Sequence, residues 1–264
     1  MAVNPYSAAL DQAFAELGKL AQSERSEARR LAQTLELLDR TGGLRDKKVL
    51  ELGSSIGVLL VALGKLGAQA QGLDKFVFPE THDSPFRLSL QDFEQASAVW
   101  KNNNVSLLPH DLAERLPFAD GTFDVVVCNA VIEHIHGIHK QLFQEVRRVL
   151  KPGGRFVFTT PNLAMLLKRV RFIFGRSPNW DIQDYFKQAA QFTGHIREFT
   201  VPECRRMLAW SGFGGIKVYS RPTYFSWRQL KMPKLWHRLL LQGVSLISPD
   251  MGDLIFAIGR KPQS

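Results

Sequence analysis

Lys48-Val-Leu-Glu-Leu-Gly-Ser-Ser-Ile-Gly57 reads as a short apolar strand that breaks into a glycine-rich turn. The run from Gly57 to Leu66 is apolar and helical, and Gly67 ends it. A glycine turn between a strand and a helix lets backbone approach a ligand closely and aims amide N–H groups at it. Taken alone, the turn suits any nucleotide-like ligand, and equally a tight connection with no ligand.

Outward from this turn the same rhythm repeats. Ala68 to Asp74 forms a second strand with its acidic residue at the carboxyl end. Residues 75–86 are irregular, with Pro79 and Pro85, and Leu88 to Trp100 suits a helix. Val105 to Leu108 is a third strand, closed by Pro109-His110-Asp111, and Phe123 to Asn129 is a fourth. Ile138 to Leu150 is an amphipathic helix that Lys151-Pro152-Gly153-Gly154 should stop. Arg155 to Thr160 is a fifth strand. Upstream, residues 8–40 read as helical, with Leu10, Phe14, Leu17, Leu31, Leu35 and Leu38 at three- and four-residue spacing. Strands alternating with helices imply a doubly wound α/β fold, a mostly parallel seven-stranded sheet with helices on both faces.

After Pro161 the rhythm breaks. Leu163 to Phe174 is apolar and basic, and a polar loop surrounds Ser177-Pro178. Pro202 to Trp210 is helical, and Ile216 to Ser220 and Leu254 to Gly259 supply the last two strands. The chain therefore divides as one domain: a helical region over 1–44, a ligand-binding core over 45–161, an insertion or lid over 162–198, and a closing part over 199–264 that carries an insertion at 222–250.

Composition narrows the class. The 264 residues are 45% hydrophobic and 22% charged, which is ordinary for a globular chain. A core of this size needs no disulfide staple. Cys128 and Cys204 stand far apart, outside any metal-ligand spacing, and Cys128 in its apolar run reads as a buried structural thiol. No secretory signal and no run of 18 apolar residues is present, which points to a cytoplasmic protein. Residues 1–140 carry 14 Lys and Arg against 18 Asp and Glu, and residues 141–264 carry 20 against 7, so the halves differ as −4 and +13. The basic half either faces an anionic partner or is a solvated surface.

Asp74 lies 21 residues after Gly53, and a carboxylate at that strand end can accept hydrogen bonds from both ribose hydroxyls. The spacing fits a nicotinamide dinucleotide as well as S-adenosylmethionine. Asp111, at the end of the third strand, could accept a hydrogen bond from the adenine amine. These positions fall on the carboxyl edge of the sheet, where such folds bind ligands.

Five ordered segments carry a more specific resemblance. They are Val49-Leu-Glu-Leu-Gly-Ser-Ser-Ile-Gly57, Gly72-Leu-Asp74, Asp111-Leu-Ala-Glu-Arg-Leu-Pro-Phe118, Phe123-Asp-Val-Val-Val-Cys-Asn-Ala-Val-Ile-Glu-His134 and Glu145-Val-Arg-Arg-Val-Leu-Lys-Pro-Gly-Gly154. The set resembles the motifs of class I S-adenosylmethionine-dependent methyltransferases, most closely the small-molecule and quinone-biosynthesis branch, over about residues 45–160. The resemblance implies S-adenosyl-L-methionine as cofactor. Glu51, Gly53, Ser54, Ser55 and Gly57 would then shape the methionine end of the pocket, and Asp74, with Lys75 beside it, would hold the ribose. Asp111 and Leu112 would meet the adenine, and Asn129, Ala130 and Val131 would line the pocket beside the sulfonium. Relatives usually have glycine where this chain has Ser55. Two rivals stay open at this point: a binding protein that kept the fold without turnover, which Ser55 would favour, and a nicotinamide-dependent dehydrogenase.

Methyl transfer is an in-line displacement in which alignment supplies much of the rate. It needs no metal, and it needs a base only where the acceptor must lose a proton. His195, within Gly194-His-Ile-Arg-Glu-Phe-Thr200, and His134 are the candidate bases, because histidine titrates near pH ~6.5. Asp184 and Tyr185 are weaker candidates, and each histidine could equally be a packing or capping imidazole. Residues 163–176 and 224–241 combine bulky apolar side chains with bases, as a lid over a greasy substrate or a membrane-surface segment would. The expectation is a small-molecule or lipid-linked acceptor with peripheral membrane contact. No recognition module supports nucleic acid as a partner.

Overall fold

A computed structural model describes residues 4–75, 89–135, 139–179, 182–187, 194–223 and 250–263. Nearly all of the irregular stretch expected over 75–86, together with His136 and the aromatic, basic run 224–241, lies outside the described residues.

Seven strands form one sheet: β1 (Lys48–Leu52), β2 (Gln69–Asp74), β3 (Ser106–Pro109), β4 (Phe123–Asn129), β5 (Leu150–Pro161), β6 (Gly214–Arg221) and β7 (Leu254–Arg260). Their order is β3-β2-β1-β4-β5-β7-β6. The pairs among β1 to β5 are parallel, and β7 runs antiparallel to both β5 and β6. The sheet is thus mostly parallel, as the strand–helix alternation implies.

The central strands are apolar on both faces, which is what a parallel sheet covered on both sides requires. Val49, Val125, Val127 and Val157 join one core with α1 (Pro5–Leu17), α2 (Ala28–Arg40), α3 (Val58–Lys65) and α4 (Leu90–Asn102). Leu50, Leu52, Val126, Cys128, Phe156 and Phe158 face the other side, against α5 (His139–Val149) and α8 (Val201–Trp210). Cys128 and Cys204 are free, buried thiols, and desolvation pushes both of their pKa values up. Two short helices, α6 (Leu166–Ile173) and α7 (Ile182–Phe186), lie between β5 and α8.

Two elements depart from the sequence reading. The helix expected over 8–40 is interrupted. Gly18 caps α1 at φ +57°, and residues Gly18–Glu27 form a 3₁₀ segment before α2 begins. The physical reason lies in the polar run Gln22-Ser-Glu-Arg-Ser-Glu27, which offers no apolar face; only Ala21 of this segment is buried. The helix before Lys151-Pro152-Gly153-Gly154 ends at Val149, but the fifth strand does not wait for Arg155. Strand β5 already begins at Leu150, with a register irregularity opposite Phe123 and Val125.

Chain order reverses between β1 and β4. The two strands pair from Val49↔Val125 to Leu52↔Cys128, so the Gly53 turn and the segment after Asn129 emerge side by side. A crevice opens at such a reversal, outside the carboxyl ends of the strands.

Candidate functional site

The turn after β1 is held by β2. The amides of Gly53 and Ser54 both donate to the Leu73 carbonyl, at 2.8 and 3.2 Å, and the Ser54 hydroxyl reaches the same oxygen at 3.2 Å. Gly53 sits at φ +72°, and a Cβ built there would lie 2.3 Å from Cγ2 of Val131. Gly57, at φ +85°, starts α3, and a Cβ there would lie 2.9 Å from Trp100 Nε1. That indole donates to the Ile56 carbonyl at 3.0 Å. Ser55 has φ +48°, a left-handed conformation in which glycine is at ease and serine is strained. The turn therefore keeps glycine-type backbone geometry at Ser55.

Three carboxylates converge on this turn. Asp74 Oδ2 accepts the Ser55 amide at 2.6 Å. Burial raises the Asp74 pKa, against the lowering effect of the Ser55 and Lys75 amides. Glu51 is 3% exposed, and its Oε2 is buried with no hydrogen-bond partner. Desolvation first, then repulsion from Glu24 and Asp74, pushes Glu51 well above the usual carboxylate range. Glu24 comes from the 3₁₀ segment, and its Oε1 accepts the Ile56 amide at 3.4 Å. Burial raises Glu24 as well, opposed by hydrogen bonds from Ser55 and Ile56. From α2, Arg30 donates to Glu27 Oε2 at 2.9 Å and to the Asn129 carbonyl at 2.6 Å, closing one side of the crevice.

The remaining cofactor candidates fall along the same edge. Lys75 and Asp111 pair at 2.6 Å, and that bond lowers the Asp111 pKa. The Asp111 Oδ1 also accepts the Ala113 amide at 2.9 Å, and Leu112 is half-buried. Asn129 turns its side chain into the fold, where Oδ1 accepts from Thr159 and, at 3.4 Å, from Thr34. Its Nδ2 is buried without a partner. Ala130 is left-handed at φ +58°, and Val131 packs over Gly53.

Both candidate histidines meet beside this edge. The His134 and His195 rings stand edge to face, 4.9 Å apart. His134 Nδ1 lies 3.2 Å from the Gly194 carbonyl, and His195 Nδ1 lies 2.8 Å from Glu198 Oε1. Lys168 of α6 holds the other Glu198 oxygen. Burial would raise Glu198, but the hydrogen bonds from His195 and Lys168 win and its pKa is lowered. Glu133, 1% exposed, ties the histidine loop down: its carbonyl accepts the Ile196 amide at 2.7 Å. Its Oε2 accepts from Thr160 at 3.1 Å, while Oε1 is buried with no partner. Desolvation pushes the Glu133 carboxyl up to about 7. Ligand atoms of Glu133, His134 and His195 all lie within 4.8 Å of one another, near enough to share a small cation. His139 is a packing residue, with Nε2 2.8 Å from the Ile132 carbonyl and its ring edge-on to Phe199. Asp184 and Tyr185 lie in α7.

Sequence reasoning missed Glu24, Arg30, Glu133 and Glu198. Glu133 could have been flagged as a carboxyl inside the apolar run Val131-Ile-Glu-His134, and Glu198 as an acid three residues after His195. Glu24 and Arg30 carry no local signal, because only the break at Gly18 brings them to the crevice.

A family model described as a methyltransferase domain matches residues 22–218. A ubiquinone biosynthesis O-methyltransferase of Pseudomonas aeruginosa is 30% identical over 126 residues, covering 47% of this chain and 49% of that protein. The chain thus spans about half the length of the curated relatives it matches. Among solved structures, phosphoethanolamine N-methyltransferase 2 of Haemonchus contortus, in complex with S-adenosyl-L-methionine, superposes with a TM-score of 0.55. It is 20% identical, over 88% of this chain and 52% of that one. An S-adenosylmethionine-dependent methyltransferase of Mesorhizobium loti superposes with a TM-score of 0.54 at 20% identity, over 90% of this chain and 99% of the other.

Proposed function

The chain belongs to the class I S-adenosylmethionine-dependent methyltransferases, and we propose that it transfers a methyl group from that cofactor to a hydroxyl of a small or lipid-linked acceptor. The observation that carries this reading is the crevice at the β1–β4 reversal. There the orphaned Glu51 oxygen and the side-chain-free cradle at Gly53 and Gly57 fit an adenosyl amino acid. Glu51, through its unpartnered oxygen, would hold the methionine end, Asp74 the ribose, and Asp111 and Leu112 the adenine. Bound there, the cofactor supplies an electrophilic methyl on a sulfonium.

The acceptor side is read from the other half of the crevice. A hydroxyl acceptor must lose a proton as it is methylated, so a positioned base helps. His195, oriented by Glu198, takes that role, with His134 beside it. The relatives' printed name, an O-methyltransferase of quinone biosynthesis, supports oxygen as the methylated atom. A greasy acceptor is supported by α6 and the turn after it, where Phe172, Ile173 and Phe174 are 68%, 78% and 77% exposed among Arg169, Arg171 and Arg176. Such a segment suits contact with an anionic membrane surface. Among the described residues no helix is long and apolar enough to cross a membrane.

Calorimetric titration tests the reading directly. S-adenosylmethionine should bind and NAD should not. The Asp74→Ala variant should lose about 1.5–3 kcal/mol of that affinity, because the ribose hydroxyls lose a charged acceptor. Label from the methyl group should then appear in extracted lipids or small phenols. Unchanged affinity in a folded Asp74→Ala protein would sink the ribose assignment.

A further inference from the structure

Glu24 is the residue of the crevice that no motif carries. The 3₁₀ segment Gly18–Glu27 lays it over the glycine-rich turn, where it accepts the Ile56 amide and meets the Ser55 side chain. Glu51 and Asp74 reach the same place from the ends of β1 and β2. The charged groups facing Glu24 are Asp74 from β2, Glu51 from β1, and Arg30 from α2. Arg30 is the cation of this group, and its guanidinium is shared with Glu27 and the Asn129 carbonyl. Three carboxylates thus crowd one crevice. The buried, unpartnered Oε2 of Glu51 is an independent sign that a donor or cation belongs there.

Resting on the cofactor reading above, we propose that Glu24 is a third carboxylate of the cofactor pocket, and that with Glu51 and Asp74 it selects the cationic sulfonium cofactor over its uncharged thioether product. S-adenosylmethionine carries a sulfonium and an ammonium against one carboxylate. Methyl transfer breaks the S–CH3 bond and leaves its electron pair on sulfur, so S-adenosylhomocysteine is one positive charge poorer. A crevice with surplus negative charge holds the reactant more tightly than the product, and product release is eased. The same crowding links binding to protons. Burial and mutual repulsion raise the proton affinity of these carboxyls, and a cation settling among them lowers it again, so its binding is coupled to proton release.

The test is titration calorimetry with S-adenosylmethionine and S-adenosylhomocysteine, on the wild type and on Glu24→Gln, which keeps the side chain's size and its amide contact. The wild type should prefer the sulfonium ligand. Glu24→Gln should weaken that ligand by about five- to tenfold, as loss of one nearby charge does in a partly screened site. The product's affinity should stay within about twofold. Equal weakening of both ligands would make Glu24 a simple clamp on the turn and overturn the proposal, and so would no change in either. A second measurement needs no variant. Repeating the wild-type titrations near pH 6 in buffers of different ionisation enthalpy should reveal more protons released with the sulfonium ligand than with the thioether. Equal release overturns the proposal even if the variant misfolds. A wild type that binds neither ligand removes the cofactor reading itself, a result distinct from either of these.

Discussion

Around Gly53, the groups of the crevice come from adjacent strand ends, with Glu24 added by the 3₁₀ segment Gly18–Glu27. Around His195, they come from the 3₁₀ turn after β4, the loop before α8 and the insertion helix α6. The first region is acidic and nearly closed, with Glu24, Glu51 and Asp74 packed against a turn that has no room for a Cβ at Gly53. The second is mixed in charge and open at its edge, with two histidines and Lys168 set against Glu133 and Glu198, and an exposed apolar stretch on the helix that carries Lys168. The contrast lies in how charge is paired: the three carboxylates beside the turn face Arg30, whereas Glu198 is matched by both His195 and Lys168.

The sharpest way to break this contrast is to fill the closed wall. Gly53→Ala places a methyl 2.3 Å from Val131 Cγ2 on a backbone at φ +72°. Left-handed strain of ~1–2 kcal/mol and overpacking of ~1–3 kcal/mol add together. We expect lower thermal stability and S-adenosylmethionine binding weakened a hundredfold or more. A variant with wild-type Tm and affinity would mean that the turn yields easily and is not a tight cradle.

The open wall should fail differently. Replacing Arg169, Arg171 and Arg176 with Gln leaves the fold alone, because these side chains are exposed. It removes bases worth ~1 kcal/mol each near an anionic surface. Lys168 is best spared, since it holds Glu198. Co-sedimentation with anionic vesicles should drop by one to two orders of magnitude for the variant, and wild-type binding should weaken in high salt without vanishing. Equal, negligible sedimentation with neutral and anionic vesicles rejects the membrane reading. Equal binding by both proteins moves the contact elsewhere.

Between the two walls stands Glu133. Folding lifts its carboxyl from an ordinary 4.5 to about 7. Between those values the folded chain holds a proton that the unfolded chain has released. Stability therefore falls as pH rises through that window, by on the order of 2–3 kcal/mol in total, and levels off above it. Other buried carboxyls slope the same way, so the informative quantity is the difference between wild type and Glu133→Gln. Near pH 5 the two should unfold in urea at similar midpoints, and near pH 8 the variant should be the more stable. Parallel pH profiles would place a compensating charge on Glu133 Oε1.

These two walls were not equally legible in the sequence. Strand ends carrying Gly53, Asp74, Asp111 and Asn129 could be read because a parallel sheet converts sequence order into a row of neighbours along one edge. The interrupted N-terminal helix could not, because one glycine and a polar run decide it against an otherwise helical spacing. Glu24 and Arg30 were lost with it. His195 and His134 were each visible singly. Their contact, and the line from Lys168 through Glu198 to His195, depends on how the insertion folds back, which no local pattern encodes. Asn129 was read as lining the pocket, whereas its side chain turns to Thr159 and only its carbonyl meets Arg30.

The smallest expected effect lies at Ser55, and it sharpens the contrast most finely. Serine at φ +48° bears left-handed strain of ~1–2 kcal/mol, which glycine relieves. Glycine in turn makes the unfolded chain freer, at a cost of ~0.4–1 kcal/mol. It also gives up the hydroxyl that hydrogen-bonds Glu24. With that hydrogen bond worth ~0.5–1.5 kcal/mol, the three contributions nearly cancel, and Tm should move by no more than ~1–2 °C either way in a chain of this length. Cofactor affinity should be kept or slightly improved, because the Ser55 amide still donates to Asp74 from an unstrained backbone. If Ser55→Gly binds less well at equal stability, the hydroxyl is what fixes Glu24 over the turn. The acidic wall would then owe the placement of Glu24 to the Ser55 hydroxyl.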